Sequence, residues 1–461
     1  MHPNRWRRST HLAIGAVVLV AVVAVVTAAL LFVGDRRAVE ALGATRPAPV
    51  LADPGIVPVA ADSEVPTEAG MSATLAAPLA DPNLGILTGR ISDAMTGEQL
   101  WEQGDDVPMQ PASTNKVLTA AAALLTLDRD AKVSTTVVAA ADGRSSGVVV
   151  LVGGGDTTLS AAPPGVNTWY KDAARISDLA GQVRRSGFTP TAVQVDTSLY
   201  SGPGLAPGWD PADIDGGDIA PIEPVMLDGG RTQPTTFDSR RSPTPALDAG
   251  RALAVALGVD PATVTTVPGP PTGPELAKVE SAPLIERLRQ MMVNSDNVMA
   301  ESIGREVAAA SHRPLSFAGA AGAVWSRLAA EGIDLTGAKL LDSSGLSVDN
   351  RLTAITLDEV IGEAAGPNHA ELRPLLDLLP VAGGSGTLSE RFLDPVTNRA
   401  AAGWLRAKTG SLTRTNALAG VVTDRSGRVL TFALLSNEAG PTGRLAIDAL
   451  AATLRSCGCV R

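Results

Sequence analysis

Ser113 and Lys116 stand three residues apart at the start of NKVLTAAAALL, an Ala- and Leu-rich stretch that reads as a helix, so both side chains face the same way. A neutral lysine one turn from a serine can take the hydroxyl proton and turn the oxygen into a nucleophile. The start of a helix also favours the negative charge that develops there. Alone, Ser113 reads better as an N-cap. Two further triplets change the balance. Ser295-Asp296-Asn297 falls between segments with apolar residues at helical spacing, Leu284, Leu288, Met291 and Met292 before it and Val298, Ile303 and Val307 after it. Lys408-Thr409-Gly410 lies on the apolar strand WLRAKTG, and in a chain with six lysines such a triplet is informative. Each is common by itself; together they supply a nucleophile, a second hydroxyl, an amide and two amines.

Competing chemistries fit less well. A Ser-His-Asp triad needs a histidine, and of the four present His2 and His11 precede an apolar segment while His312 and His369 sit in ordinary loop or helix contexts. The one G-x-S-x-G, Gly143 to Gly147, is flanked on both sides by β-branched runs and reads as a hairpin turn, not a strand-to-helix elbow. Gly153, Gly154 and Gly155 lack the Gly-Lys-Ser/Thr ending of a phosphate loop and read as a tight turn. Cys457 and Cys459 could tie the C-terminus, hold a metal weakly or do neither, and no histidine completes a zinc set. A net charge of −10 and 3% aromatic residues argue against a nucleic-acid partner.

The elements that must position these residues come from both ends of the chain. GILTGRIS, a turn at DAMTG and EQLWEQ form a hairpin before the Ser113 helix, and WLRAKTG, NALAGVVTD and RVLTFALLS form strands near the end, followed by a helix from about Thr442 to Leu454. Strands at both ends with helices between them suggest one sheet made of sequence-distant pieces, an α+β architecture. Lys132 to Val152 alternates β-branched runs and predicts a separate sheet, and Leu247 to Leu257 has a helical pattern. With 461 residues the chain has room for more than one core.

Leu12 to Val33 carries no charge over 22 residues, about 33 Å as a helix, the thickness of a bilayer core. Arg5, Arg7 and Arg8 before it place the N-terminus in the cytoplasm, favouring an uncleaved single-pass anchor over a cleaved signal peptide, with the body outside under either reading. The expected organisation is a cytoplasmic stretch 1–11, a transmembrane segment 12–33 and an Ala/Pro-rich linker 34–79. A catalytic domain follows over 80–130 and 246–461, interrupted by an inserted β-rich subdomain over 131–245.

Ser-x-x-Lys, Ser-Asp-Asn and Lys-Thr-Gly in this order resemble the signature of penicillin-recognising serine enzymes. GGGDTTL at 153, DTSLYSGPGLAPGW at 196, DSSGLSVDNRLT at 342, GGSGTL at 383 and AKTGSLTRTNALAGVV at 407 are similar to the D-alanyl-D-alanine carboxypeptidase/endopeptidase branch of low-molecular-mass penicillin-binding proteins, over roughly residues 80 to 455. A large insertion between the first two motifs marks that branch, and 182 positions separate Ser113 from Ser295. Two departures stand out: the insertion looks shorter than the family's two-domain version, and Ser411 stands where the family often has Thr.

The resemblance implies a β-lactamase/transpeptidase-like antiparallel sheet flanked by helices, with the inserted subdomain and the membrane helix appended. It implies Ser113, Lys116, Ser295, Asn297 and Lys408 as catalytic residues and Thr409, Gly410 and Ser411 as substrate-binding residues, with no cofactor or metal. The implied activity is hydrolysis of the D-Ala-D-Ala bond of peptidoglycan stem peptides through an acyl-enzyme on Ser113, with β-lactams as inhibitors that acylate the same serine. A β-lactamase or esterase on the same fold is the first alternative, although no Glu-x-x-Leu-Asn loop is present, and a non-catalytic wall-binding scaffold is the second.

Overall fold

The computed structural model describes residues 63–140, 147–267 and 269–457. Its strands are β1 (Ile86–Asp93), β2 (Gln99–Gln103), β3 (Ser134–Ala139), β4 (Val148–Gly153), β5 (Ala192–Asp196), β6 (Thr265–Val267), β7 (Glu275–Glu280), β8 (Leu405–Leu412), β9 (Thr415–Thr423) and β10 (Val429–Asn437). The longer helices are α1 (Glu68–Leu79), α2 (Lys116–Thr126), α3 (Ile176–Arg185), α4 (Pro245–Leu257), α5 (Leu284–Asn294), α6 (Asn297–Ala310), α7 (Phe317–Ala330), α8 (Ala354–Ala365) and α9 (Gly443–Ser456).

The first sheet is antiparallel in the order β2-β1-β10-β9-β8, so the N-terminal hairpin pairs with the C-terminal meander, Ile86 opposite Asn437 and Asp93 opposite Leu430. Strands β9 and β10 are buried along nearly their whole length, because both faces of the sheet are covered. On one face lie α1 and α9, closing a core of Ile91, Phe432, Leu434, Ile447 and Leu450. The other face meets α8, behind which α2, α5, α6 and α7 share a second core. In that core Ala120, Ala121, Ala122 and Ala123 of α2 have no exposed surface, and side chains this small let neighbouring helices come close to the one that follows Ser113.

The second sheet has the order β6-β5-β4-β3-β7, with β4–β5 and β5–β6 parallel and the remaining pairs antiparallel. Its parallel strands are joined through α3 and α4, which bury Leu179, Val183, Ala249 and Leu253 against Val149, Val193 and Val195. This corrects two expectations. The insertion is a mixed α/β layer instead of a β-rich one, and it runs to Glu280 instead of ending at 245. Strand β6 has three residues and β7 reads ELAKVE, too short and too charged for a strand signal to stand out.

The linker expectation also changes. Residues 68–79 form α1, with Thr67 capping Gly70 N–H at 3.1 Å and Met71 and Leu75 fully buried against the sheet. Its sequence EAGMSATLAAPL is mostly good helix formers despite Pro78, and packing supplies the rest. The remainder of the expected linker and the segment Leu12–Val33 lie outside the described residues. Among the described residues no helix is long and apolar enough to cross a membrane. Most of Gly143–Gly147 also lies outside them, but β3 and β4 on either side pair antiparallel, Ala139 opposite Val149, so that segment joins strand to strand. Cys457 is buried and disulfide-bonded, while Cys459 lies outside the described residues.

Candidate active site

The nucleophile candidate sits on a tight turn. Ala112 to Asn115 form one 3-10 turn that runs into α2 at Lys116, and Ala112 adopts φ 47°, a left-handed conformation that costs a non-glycine residue about 1 kcal/mol or more. Two glycines let other segments close on this turn. A Cβ on Gly410 would lie 2.6 Å from Pro111 O, and one on Gly345, at φ +84°, would lie 1.9 Å from Ala112 O. Gly410 therefore brings β8 against the nucleophile turn. Gly345→Ala is expected to cost about 2–4 kcal/mol, from the clash and the backbone together, read as a lowered thermal midpoint. An unchanged midpoint would show that the 342–350 loop does not brace the turn.

Lys116 has no exposed surface, and its Nζ lies 2.9 Å from Ser113 Oγ, 2.6 Å from Asn297 Oδ1 and 2.8 Å from the Ser344 carbonyl. When the amine is neutral, its two N–H groups can serve the two carbonyl oxygens, leaving the lone pair for the Ser113 hydroxyl. Burial pushes Lys116 down from the ordinary lysine value to about 8, against the opposing pull of Asp342, Asp296 and Glu301. The Ser344 carbonyl is held by a built support. Glu301 Oε1 accepts the N–H groups of Ser343 at 2.9 Å and Ser344 at 2.8 Å. Asp342 accepts from Gly345 N, Ser347 N, Asn350 Nδ2 and Trp209 Nε1. Burial, with the charge of Asp342 added, pushes the Glu301 carboxyl up to about 7.

Ser295, Asp296 and Asn297 occupy a joint between two helices. Ser295 ends α5 in the left-handed conformation, φ 56° and ψ 37°, and Asp296 starts α6 by accepting Met299 N–H at 3.0 Å. The joint turns Ser295 Oγ towards Lys408 Nζ, 2.9 Å away, while Asn297 reaches Lys116 on one side and donates to the Asp218 carbonyl at 3.0 Å on the other. Lys408 is fully buried and also donates to Thr409 O at 2.8 Å. Burial, then the charges of Lys116 and Arg391, push its ammonium well below the ordinary value.

A cleft of about 590 Å³ opens beside these groups, lined by Ser113, Ser295, Asn297, Thr409 and Ser411. Strand β8 is the edge of the first sheet. Its outer side is covered at Leu405 and Ala407 by Ala382 N and Pro380 O at 2.9 and 3.0 Å, whereas over Thr409 to Ser411 no backbone pairs with it among the described residues. All eight residues expected from the sequence are thus brought to one place, but not equally. Lys116 and Lys408 lie behind the cleft wall, and Gly410 acts as a spacer.

Sequence reasoning missed other parts of the cleft: Asp213, Asp218 and Phe237 from the insertion, and Thr387, Arg391 and Arg444. Thr387 Oγ1 accepts from Thr409 Oγ1 at 2.8 Å, and Arg391 is paired with Asp448. The signal for Thr387 was present in GGSGTL, and for Asp342 in DSSGLSVDN; the acidic and aromatic residues of the insertion sit in Pro/Gly-rich loops with no motif around them. His312 and His369 do not line the cleft.

Comparison with known proteins identifies the family. The D-Ala-D-Ala carboxypeptidase 3 (S13) family model matches residues 71–241 and 235–454, and a model described as the carboxypeptidase Rv3627c-like N-terminal domain matches residues 1–58. The chain is 70% identical over 460 residues to carboxypeptidase DacB of Mycolicibacterium smegmatis and 64% identical over 461 residues to carboxypeptidase Rv3627c of Mycobacterium tuberculosis, with 100% of each chain covered. Among solved structures, penicillin-binding protein 4 of Haemophilus influenzae superimposes with a TM-score of 0.67 at 22% identity, over 85% of this chain and 99% of that one, which shows the shared fold. A β-lactamase or scaffold reading is not favoured by these likenesses. The chain belongs to the D-Ala-D-Ala carboxypeptidase 3 (S13) family and is a serine-type D-Ala-D-Ala carboxypeptidase.

Proposed function

We propose that Ser113 is the nucleophile and Lys116 the base that activates it, on a stem peptide laid along the open edge of β8. The observation that carries this reading is the 2.9 Å contact of a fully buried, down-shifted Lys116 with Ser113 Oγ at the wall of the cleft. Ser113 Oγ attacks the carbonyl between the two D-alanines as its proton passes to Lys116 Nζ. The oxyanion meets the backbone N–H groups of Ser113 and Ser411, each worth about 3 kcal/mol in such sites. Ser295 Oγ, held by Lys408, relays the proton to the leaving amine, and the terminal D-alanine departs. Water then takes the place of the amine and attacks the ester carbonyl as its proton passes to Lys116. The bond to Ser113 Oγ breaks, Lys116 returns the proton to that oxygen, and the shortened peptide leaves as a carboxylate.

The Ser411 hydroxyl, and the Thr409 hydroxyl once turned away from Thr387, receive the terminal carboxylate, with Lys408 behind the wall and Arg391 at the cleft supplying positive potential; Asn297 orients the substrate amide. Asp218 lies on the Asn297 side of the cleft and Arg391 on the Lys408 side, an arrangement suited to a peptide with an ammonium at one end and a carboxylate at the other. A D-alanyl cross-link presents the same carbonyl as a terminal D-Ala-D-Ala and fits the same chemistry. A β-lactam acylates Ser113 because its ring mimics the scissile amide while its leaving group stays tethered. Leu12–Val33 is proposed to anchor the chain in the cell membrane with the body outside, where peptidoglycan is processed.

Intact mass of the protein after benzylpenicillin, beside Ser113→Ala, tests the assignment. One covalent adduct on the wild type and none on the variant is the expected outcome. An adduct retained by Ser113→Ala would move the nucleophile elsewhere.

A further inference from the structure

The inserted lobe reaches into the catalytic motif itself. Asp296, the middle residue of Ser295-Asp296-Asn297, is 5% exposed, and its Oδ2 accepts the Tyr170 hydroxyl at 2.7 Å and lies 3.6 Å from Arg231 Nη2. Arg231 Nη1 also donates to Tyr170 OH at 3.0 Å, closing a three-membered network, and its guanidinium lies 4.2 Å from the centre of the Trp169 ring. Tyr170, Arg231 and Trp169 all belong to the insertion, yet Tyr170 is fully buried in the helical core with Met291 and Met292, one turn before Ser295.

Burial alone would raise the Asp296 carboxyl, but Arg231 and Arg241, with the Met299 N–H and the Tyr170 hydroxyl, hold it below its ordinary value. Burial and the Asp296 charge push the Tyr170 hydroxyl upward, so it remains a donor. Each carboxylate oxygen therefore has a partner: Oδ1 meets the Met299 N–H of its own helix, and Oδ2 meets Tyr170 and Arg231 of the insertion. Ser295 and Asn297, on either side of Asp296, are the two residues that meet Lys408 and Lys116. A non-glycine residue at φ 56°, as Ser295 is, persists only where its surroundings over-determine it.

We propose that Tyr170 and Arg231 are positioning residues for the acylation step: through Asp296 they hold Ser295 and Asn297 in register with the two lysines, which makes the inserted lobe a working part of the active site. This rests on the proposed roles of Ser113, Lys116 and Ser295. It gives the insertion a task in catalysis, separate from any contact it makes with substrate at Phe237.

The test is a double-mutant cycle in β-lactam acylation, with Tyr170→Phe, Asp296→Asn and the pair, separating the dissociation constant of the first complex from the acylation rate constant. Tyr170→Phe is expected to lower the rate constant on the order of 10- to 100-fold while the dissociation constant moves less than about threefold, as for a misplaced catalytic group. The pair should be no slower than Asp296→Asn alone, because Tyr170 acts through Asp296. If Tyr170→Phe does not fold, Arg231→Lys takes its place in the cycle with the same expectations. A wild-type rate constant in the single variant, or multiplied losses in the pair, would overturn the proposal. Failure of the wild type to acquire an adduct on Ser113 would instead overturn the residue roles on which it rests.

Discussion

Ser113→Ala is expected to lower release of D-alanine from a D-Ala-D-Ala peptide on the order of 10⁴-fold or more, the range in which removal of a nucleophile from a serine enzyme falls. The loss should sit in the rate constant for acylation, with peptide affinity nearly unchanged. Among the described residues Ser113 Oγ bonds to the buried Lys116, and the groups proposed to hold the peptide, Thr409, Ser411 and Arg391, lie on other elements. Removing a single hydroxyl from a half-buried turn residue should leave the thermal midpoint within a few degrees of wild type. D-alanine release together with that midpoint would check both halves. Retained turnover within tenfold of wild type would require another nucleophile, and Ser295, held 2.9 Å from Lys408, would be the residue to replace next.

The second large effect is the dependence on pH. A base works only when unprotonated, and Lys116 is pushed to about 8, so below that pH the active fraction falls tenfold for each unit. Acylation at saturating β-lactam should therefore rise about 50-fold between pH 6 and pH 8, and by a further factor of about two before it levels off above pH 9. The rise follows loss of the Lys116 proton, the direction set by its down-shift from the ordinary lysine value. Lys116→Arg keeps the cation and much of the length but cannot lose its proton in this range, and it should remove acylation by on the order of 10³-fold or more at every pH, with no rising limb. A flat profile in the wild type between pH 6 and pH 9 would show that Lys116 is not the group whose proton controls the step.

Much of the site was legible because its parts are local. Ser113 and Lys116 are one turn apart, Ser295 to Asn297 are contiguous, and Lys408 to Ser411 lie along one strand. Apolar period then identified the elements that carry them, since α2, α5, α6 and β8 to β10 have strong patterns. The support of the site was not legible for the opposite reason. Ser344 contributes a backbone carbonyl, which any residue type would supply, and Asp218 does the same for Asn297. Tyr170 and Asp296 are 126 positions apart, and nothing local to either one announces the other. The boundary of the insertion was misplaced because β7 shows a half-exposed, charged pattern, and α1 because an Ala-rich stretch with a proline gives little periodicity until it is seen packed on Ile447 and Leu450.

The last strand among the described residues, β10, lies in the middle of the first sheet, between β1 and β9. Until residues 429–437 have left the ribosome, the N-terminal hairpin has no strand to pair with, and the turn that carries Ser113 has no β8 against it. Closing that sheet joins residues more than 300 positions apart, a long loop to gather before any contact rewards it. Catalytic competence therefore arrives late and all at once: a nascent or truncated chain can carry its nucleophile, base and middle motif and still be inert.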